Sequence, residues 1–266
     1  WRWFIPMMGA AEFVQVEALP IDPYVLGYLL GNGSISQCVP SVSTADQEVV
    51  LAFNSALPPG VSAKKGSGDF DWRLTTNGTT RNEEGERVNP LTQSLRSLGL
   101  HGTKSGTKFI PDCYKFSSKE NRASLLQGLL DSDGHVRPAD NNIEYVTVSP
   151  QLAKDVAFLV QSLGGTARIR TKQPKCQWEN TVPQLAYLMS VILPDTIKPF
   201  RVARKANVYH PREKYQPTRA IVSAELVGQK EMVCISVDSP DRCYVIEHCI
   251  VTHNSLACFA LPLMKL

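Results

Sequence analysis

One pattern occurs twice in this chain and limits what it can fold into. The first copy is Val25-Leu26-Gly27-Tyr28-Leu29-Leu30-Gly31-Asn32-Gly33, and the second is Leu126-Gln127-Gly128-Leu129-Leu130-Asp131-Ser132-Asp133-Gly134. Each is an apolar helical stretch with glycine at its third place and a polar residue followed by glycine at its end. Asn32 and Asp133 lie 101 positions apart, the size of one small α/β unit. The spacing predicts two tandem halves related by a pseudo-twofold axis. Gly27 and Gly128 lack a Cβ, so the two helices can meet backbone to backbone. Gly33 and Gly134 are expected to close them as left-handed caps. Helices that end side by side bring Asn32 and Asp133 to one point. There, with Gly31 and Ser132 one position earlier, they would offer hard oxygen ligands to a divalent cation. A single helix-ending Asp is ordinarily a cap or turn residue. The repetition favours a ligand, and Asp131 reads instead as a structural cap.

The segments after each motif extend the repeat. Ile143–Ser149 alternates as a strand, and Pro150 opens a helix with Leu152, Val156, Leu159, Val160 and Leu163 on its apolar face. Thr166–Lys172 alternates again, placing Arg168, Arg170 and Lys172 on one strand face. The first half is looser: a helix over 44–57, a strand over 71–76 carrying Arg73, and a helix over 89–98 closed by Gly99. Basic strand faces are commonly just solvated. Arg201, Arg204 and Lys205 read as the solvated face of a helix, with DNA backbone contact second.

The tail has a different chemistry. Runs at 232–237, 243–246 and 249–251, broken by Asp238-Ser239-Pro240-Asp241, read as strands leading to His253-Asn254-Ser255. The Asn254 side-chain amide can attack its own main-chain carbonyl, forming a succinimide and releasing the amine of Ser255. His253 is placed to polarise that carbonyl or protonate the leaving amine. The Ser255 hydroxyl would carry a transferred acyl group.

Composition sets few limits. The net charge is +3, so nucleic-acid binding must come from a local surface. The seven cysteines contain no C-x-x-C pair, which argues against a zinc ribbon and for reduced thiols in a cytoplasmic protein. No apolar run is long enough to span a membrane.

The paired motifs, with Phe109-Ile110-Pro111-Asp112-Cys113-Tyr114 and Asn121-Arg122 leading into the second, resemble the LAGLIDADG homing endonucleases in their single-chain form. The tail from about Ala220 to Ser255 resembles the C-terminal splicing half of an intein. The combined resemblance implies an α+β fold: two tandem αββαββα repeats forming a DNA-binding saddle, then a β-rich fragment of the Hint-type splicing domain. The implied divisions are 1–17 (remnant of the N-terminal splicing half), 18–120, 121–217, 218–254 and 255–266 (start of the C-extein). The resemblance further implies a monomer that hydrolyses a long asymmetric duplex with Mg²⁺. DNA contacts would come from Arg73, Arg137, Arg168, Arg170 and Lys172, and a lysine would stand near the site, with Lys104 and Lys172 as candidates. Ser255 followed by an apolar run is what comes after Gly-Lys in a P-loop, so a host P-loop ATPase is expected.

Two departures qualify these expectations. The family has an acidic residue where this chain has Asn32, which offers a carbonyl oxygen but no negative charge. Double-strand cleavage is therefore expected to be reduced or lost, which keeps open an inactive DNA-binding or RNA-maturase-like module. The chain opens at Trp1 without the Cys or Ser nucleophile of an intein, so splicing requires a missing N-terminal half, in cis or in trans.

Overall fold

The computed structural model describes all residues except 1–2, 6, 14–17, 79–80, 82–84, 86–87, 174–183, 212–216, 227, 230, 232–234 and 254–266. After a short strand β1 (Phe4–Ile5), the first repeat runs α1 (Pro23–Asn32), β2 (Gly33–Ser34), β3 (Ser41–Ser43), α2 (Gln47–Ala56), β4 (Val61–Lys65), β5 (Asp71–Thr76) and α3 (Pro90–Ser97). A short α4 (Asp112–Lys115) leads to the second repeat: α5 (Lys119–Asp133), β6 (Gly134–Arg137), β7 (Asn142–Thr147), α6 (Pro150–Ser162), β8 (Thr166–Lys172), β9 (Ala186–Ile192) and α7 (Ala203–Ala206). Both repeats thus have the expected αββαββα order. Their antiparallel sheets share one topology, β2-β3-β5-β4 in the first and β6-β7-β9-β8 in the second.

Local chemistry sets the helix ends. Pro23, Pro90 and Pro150 occupy first turns, where the missing N–H costs nothing. Asp22, Asn89, Ser118 and Ser149 accept N–H bonds from the first turns of α1, α3, α5 and α6. The core joins α1 and α5 to the inner faces of both sheets through Val42, Leu74, Val136, Ile143, Tyr145, Met189 and Val191.

The two motif helices pack as their glycines require. A Cβ on Gly27 would fall on the Leu125 carbonyl and lie 3.1 Å from the Leu129 nitrogen; one on Gly128 would fall on the Tyr24 carbonyl and lie 2.7 Å from the Tyr28 nitrogen. The expected left-handed caps are not formed. Gly33 and Gly134 are extended, at φ −95° and −81°, and each opens the next strand. Glycine is needed there for space, since a Cβ on Gly33 would lie 2.6 Å from Leu29 O, and one on Gly134 would lie 2.8 Å from Leu130 Cα.

The described N-terminal arm packs beside the second repeat. Phe4 and Ile5 pair with Ala220 and Arg219 of β10 (Arg219–Ala220). Arg122, fully buried, donates to Ser117 O, Ser162 O, Ser162 Oγ and Ala11 O, fastening the N-terminal arm to α6. In the tail, β11 (Cys243–Ile246) and β12 (Ile250–His253) form an antiparallel hairpin with Cys243 opposite His253. The strand expected over 232–237 does not appear at Ile235–Val237, and residues 232–234 lie outside the described residues. The strand expected from Cys249 begins at Ile250, because His248 and Cys249 turn the chain with φ of 63° and 55°. Among the described residues no helix is long and apolar enough to cross a membrane.

Candidate active site and nucleic-acid interface

The ends of α1 and α5 meet, as the repeat implies. A Cβ on Gly31 would fall on Ser132 Oγ and lie 3.2 Å from Asp133 Oδ2. The Asp133 carboxylate is exposed and borders two clefts of about 460 and 350 Å³, one on each side of the helix junction. Asn32 is also exposed, and its amide Nδ2 donates to Ser43 O at 2.7 Å, at the end of strand β3 of its own sheet. The junction therefore presents one carboxylate, not two. Among the described residues no group of three His, Cys, Asp or Glu side chains is gathered for a metal ion. Asp131 is structural: buried, it accepts from Tyr24 Oη (3.0 Å), Arg201 N (3.0 Å) and Val202 N (3.3 Å), which anchors the chain entering α7.

Sequence reasoning missed the two lysines that face the junction. Lys108 Nζ donates to Leu29 O (2.9 Å), Gly31 O (3.3 Å) and Gly33 O (2.8 Å). Lys205 Nζ donates to Leu130 O (2.8 Å), Asp131 O (2.6 Å) and Ser132 O (3.5 Å). Leu29 and Leu130 hold the same place in the two motifs, as do Gly31 and Ser132, so the lysines are pseudo-equivalent. Each ammonium neutralises the carbonyl end of a helix dipole. Lys108 and Asp133 border one cleft, Lys205 and Asp133 the other. Burial lowers both lysines to about 8, against the pull of Asp133. The protein packed around Asp133 displaces part of its water and raises the carboxyl above the usual carboxylate range even though the side chain opens onto both clefts, while Lys108 and Lys205 draw it down.

These positions correct two expectations. Lys104 is exposed, and Lys172 lies on the exposed face of β8, so neither is the junction lysine. Lys205 is buried, not solvated, and Arg204 forms a two-pronged ion pair with Asp46 of the first repeat at 2.8 and 2.9 Å. Residue type alone gave no signal for Lys108 and Lys205, because both reach the helix ends through tertiary packing.

Each sheet buries one face and leaves the other open. In the second sheet the open face carries His135, Glu144, Ser190 and Arg168 in one cross-strand row, with Arg170 and Lys172 further along β8. A groove of about 340 Å³ runs over Arg137, Glu144, Arg168, Arg170 and Ser190. Arg137 is held by Asp140 and by Glu144 (3.1 Å). In the first sheet the open row is Ser41, Arg73 and Lys64. The structure thus puts Arg73, Arg168, Arg170 and Lys172, all expected as DNA contacts, on open sheet faces, and Arg137, expected with them, in an ion-pair cluster. Of the splicing residues, His253 has its backbone in β12, while Asn254 and Ser255 lie outside the described residues.

Residues 120–192 match the LAGLIDADG-like domain family. The replicative DNA helicase DnaB of Mycobacterium intracellulare is 28% identical over 240 residues, covering 88% of this chain and 35% of that protein. The ATP-dependent DNA helicase Hel308 of Thermococcus kodakarensis is 46% identical over 56 residues, covering 20% of this chain and 5% of that protein. The chain thus spans little more than a third of the length of the first of these relatives. Among solved structures, mesophilic variants of the homing endonuclease I-DmoI align with a TM-score of 0.45 at 12% identity, over 71% of this chain and 95% of theirs. I-DmoI in complex with DNA and Ca aligns with a TM-score of 0.41.

Proposed function

We propose that this chain is an intein-borne LAGLIDADG endonuclease that binds duplex DNA across its two open sheet faces and hydrolyses it weakly at Asp133. The observation that carries this reading is the meeting of the two motif ends, with one exposed carboxylate between two buried, pseudo-equivalent lysines. Both sheets start from that junction, through Gly33 and Gly134, so a duplex lying on them passes over Asp133.

The donor set suits a hard cation that takes one carboxylate and completes its shell with water and substrate phosphate, which is how Mg²⁺ is commonly held. Asp133 would be its protein ligand; the Gly31 and Ser132 carbonyls already accept from Lys108 and Lys205 at the long distances of 3.3 and 3.5 Å. Bound there, Mg²⁺ would supply Lewis-acid stabilisation of phosphoryl charge and an acidified water. Lys108 and Lys205 face the same clefts with partly titrating ammonium groups, able to stabilise a developing oxyanion or exchange a proton with the attacking water. Asn32, bonded to Ser43 O, adds no negative charge. One strand is therefore cut better than the other, and double-strand cleavage is impaired. The same Asn32 geometry favours the second reading, a DNA-binding or RNA-maturase-like module without cleavage.

The splicing tail would act by Asn254 cyclisation, with His253 assisting and Ser255 as the first C-extein residue, once an N-terminal half is supplied. The pairing of β1 with β10 supports this, since it brings the chain entering the repeats beside the chain leaving them. The helicase relatives support a P-loop ATPase host, and its gene without the insertion is the proposed target. Anisotropy of a labelled duplex spanning that fused junction tests the reading. Tighter, salt-sensitive binding than to a scrambled duplex is expected; equal affinity for both sinks site-specific recognition.

A further inference from the structure

We propose that the second repeat is the primary anchor on DNA and that the first repeat closes onto the duplex afterwards. This rests on the DNA-binding reading above and concerns how the two sheets share the duplex. The sheet registers allow the repeats to be compared position by position. Gly33 pairs with Val42 as Gly134 pairs with Tyr145, so Ser41 corresponds to Glu144. Ser41 faces Arg73 and then Lys64; Glu144 faces Ser190 and then Arg168. Lys64 therefore corresponds to Arg168 and Gly66, just past β4, to Arg170, while Lys172 falls beyond the turn that ends the β4–β5 hairpin. The outer strand of the second sheet presents three cations where that of the first presents one.

The rest of each face widens the difference. Among the described residues, the first sheet's open face carries Lys64 and Arg73 against Asp71. The second carries Arg137, Arg168, Arg170 and Lys172 against Glu144. Glu144 is already matched by Arg137 at 3.1 Å, which leaves Arg168, Arg170 and Lys172 available to phosphates. Arginine also binds phosphate through two parallel N–H groups, which lysine cannot do. The first face is instead rich in hydroxyls, with Ser34, Ser41, Ser43 and Ser62, groups suited to hydrogen-bonding a duplex already held nearby. Because phosphate contacts dominate affinity and its salt dependence, the face with more free cations engages first and lets go last. The repeat that holds the duplex is also the one that contributes Asp133.

A photocrosslinking salt titration tests this. A benzophenone side chain is introduced separately at Ser43 and at Val146, which occupy matched, exposed places opposite Asp71 and Leu188 on the two open faces. The probe is a random-sequence duplex long enough to cover both sheets. Both positions are expected to capture DNA at low salt, with the Val146 crosslink surviving to clearly higher salt. Arg168→Ser/Arg170→Ser/Lys172→Ser should abolish both crosslinks, weaken binding roughly 100-fold at moderate salt and flatten the salt slope by about 2.7. The variant's thermal melt and circular dichroism confirm that it folds, since these side chains are exposed. Crosslinks that fade together, or a Ser43 crosslink that outlasts the other, overturn the anchor assignment and leave DNA binding standing. No capture at either position, with the protein folded, overturns the DNA-binding reading itself.

Discussion

Gly128→Ala is a sharp test of the helix junction because two effects of opposite sign meet there. Alanine is the better helix former by about 1 kcal/mol, so on an exposed helix face the change would stabilise. At Gly128 the new methyl group falls on the Tyr24 carbonyl and lies 2.7 Å from the Tyr28 nitrogen. Both neighbours are backbone atoms and cannot rotate away. An ordinary contact needs about 3.5 Å, so α1 and α5 must separate by roughly 1 Å. Overpacking of this kind costs about 1–3 kcal/mol, and rigid neighbours put Gly128 at the upper end. Subtracting the helix-propensity gain leaves a net loss of about 2 kcal/mol. Urea denaturation measures it, with Gly106→Ala as the control, since a Cβ there meets nothing within 4 Å. A Gly128→Ala protein as stable as the parent would refute backbone-to-backbone packing. Gly31→Ala meets the Ser132 hydroxyl with Ser132 Cβ 2.8 Å away behind it, so Gly31→Ala/Ser132→Ala should recover only part of the loss.

Three further outcomes follow from the junction. The fold holds Lys108 and Lys205 at about 8, while an unfolded lysine titrates near 10.4. The unfolded chain then binds more protons, so stability should rise from pH about 8 to about 9.5, by at most about 1.4 kcal/mol per pH unit for each lysine. Above that range the raised tyrosines Tyr24 and Tyr114 count the other way. Lys108→Met should flatten the rise in a pH series of urea melts, and an unchanged slope would contradict the burial argument. Asp131→Ala should cost about 3 kcal/mol by leaving the Tyr24 hydroxyl and the Arg201 and Val202 amides without their acceptor; a loss below about 1 kcal/mol would deny its anchoring role. Asn32→Asp sets a carboxylate against Ser43 O, so the side chain should swing from the end of β3 toward Asp133. Calorimetry should then show tighter Mn²⁺ binding, and unchanged binding would contradict the proposed single-carboxylate site.

The repeat was legible because its glycines answer to one constraint, the close approach of two helices, and apolar residues at helical spacing surround them. The second half read more clearly than the first for a similar reason. Ile143–Thr147 and Thr166–Lys172 alternate cleanly, whereas β3 is three residues long and β4, Val61-Ser62-Ala63-Lys64-Lys65, has little apolar signal. Gly33 and Gly134 were placed correctly at helix ends but assigned the wrong conformation. A glycine that must avoid its own helix's last turn looks the same in sequence as one that must turn left-handed. Lys108 and Lys205 were invisible because one sits in a loop and the other on a four-residue helix. Only the packing of those segments against the motif helices brings them to equivalent carbonyls. Arg204 is exposed on a helix as expected, but its ion pair was invisible for the same reason, its partner Asp46 lying 158 positions away.

The most direct test of the account is a supercoiled plasmid carrying the fused helicase junction, incubated with the protein and Mg²⁺. The account predicts a nicked circle that requires Mg²⁺, disappears with Asp133→Asn and with loss of the junction sequence, and yields little linear product. Efficient linearisation by the native chain would contradict the single-carboxylate site, and an intact plasmid would contradict hydrolysis at Asp133.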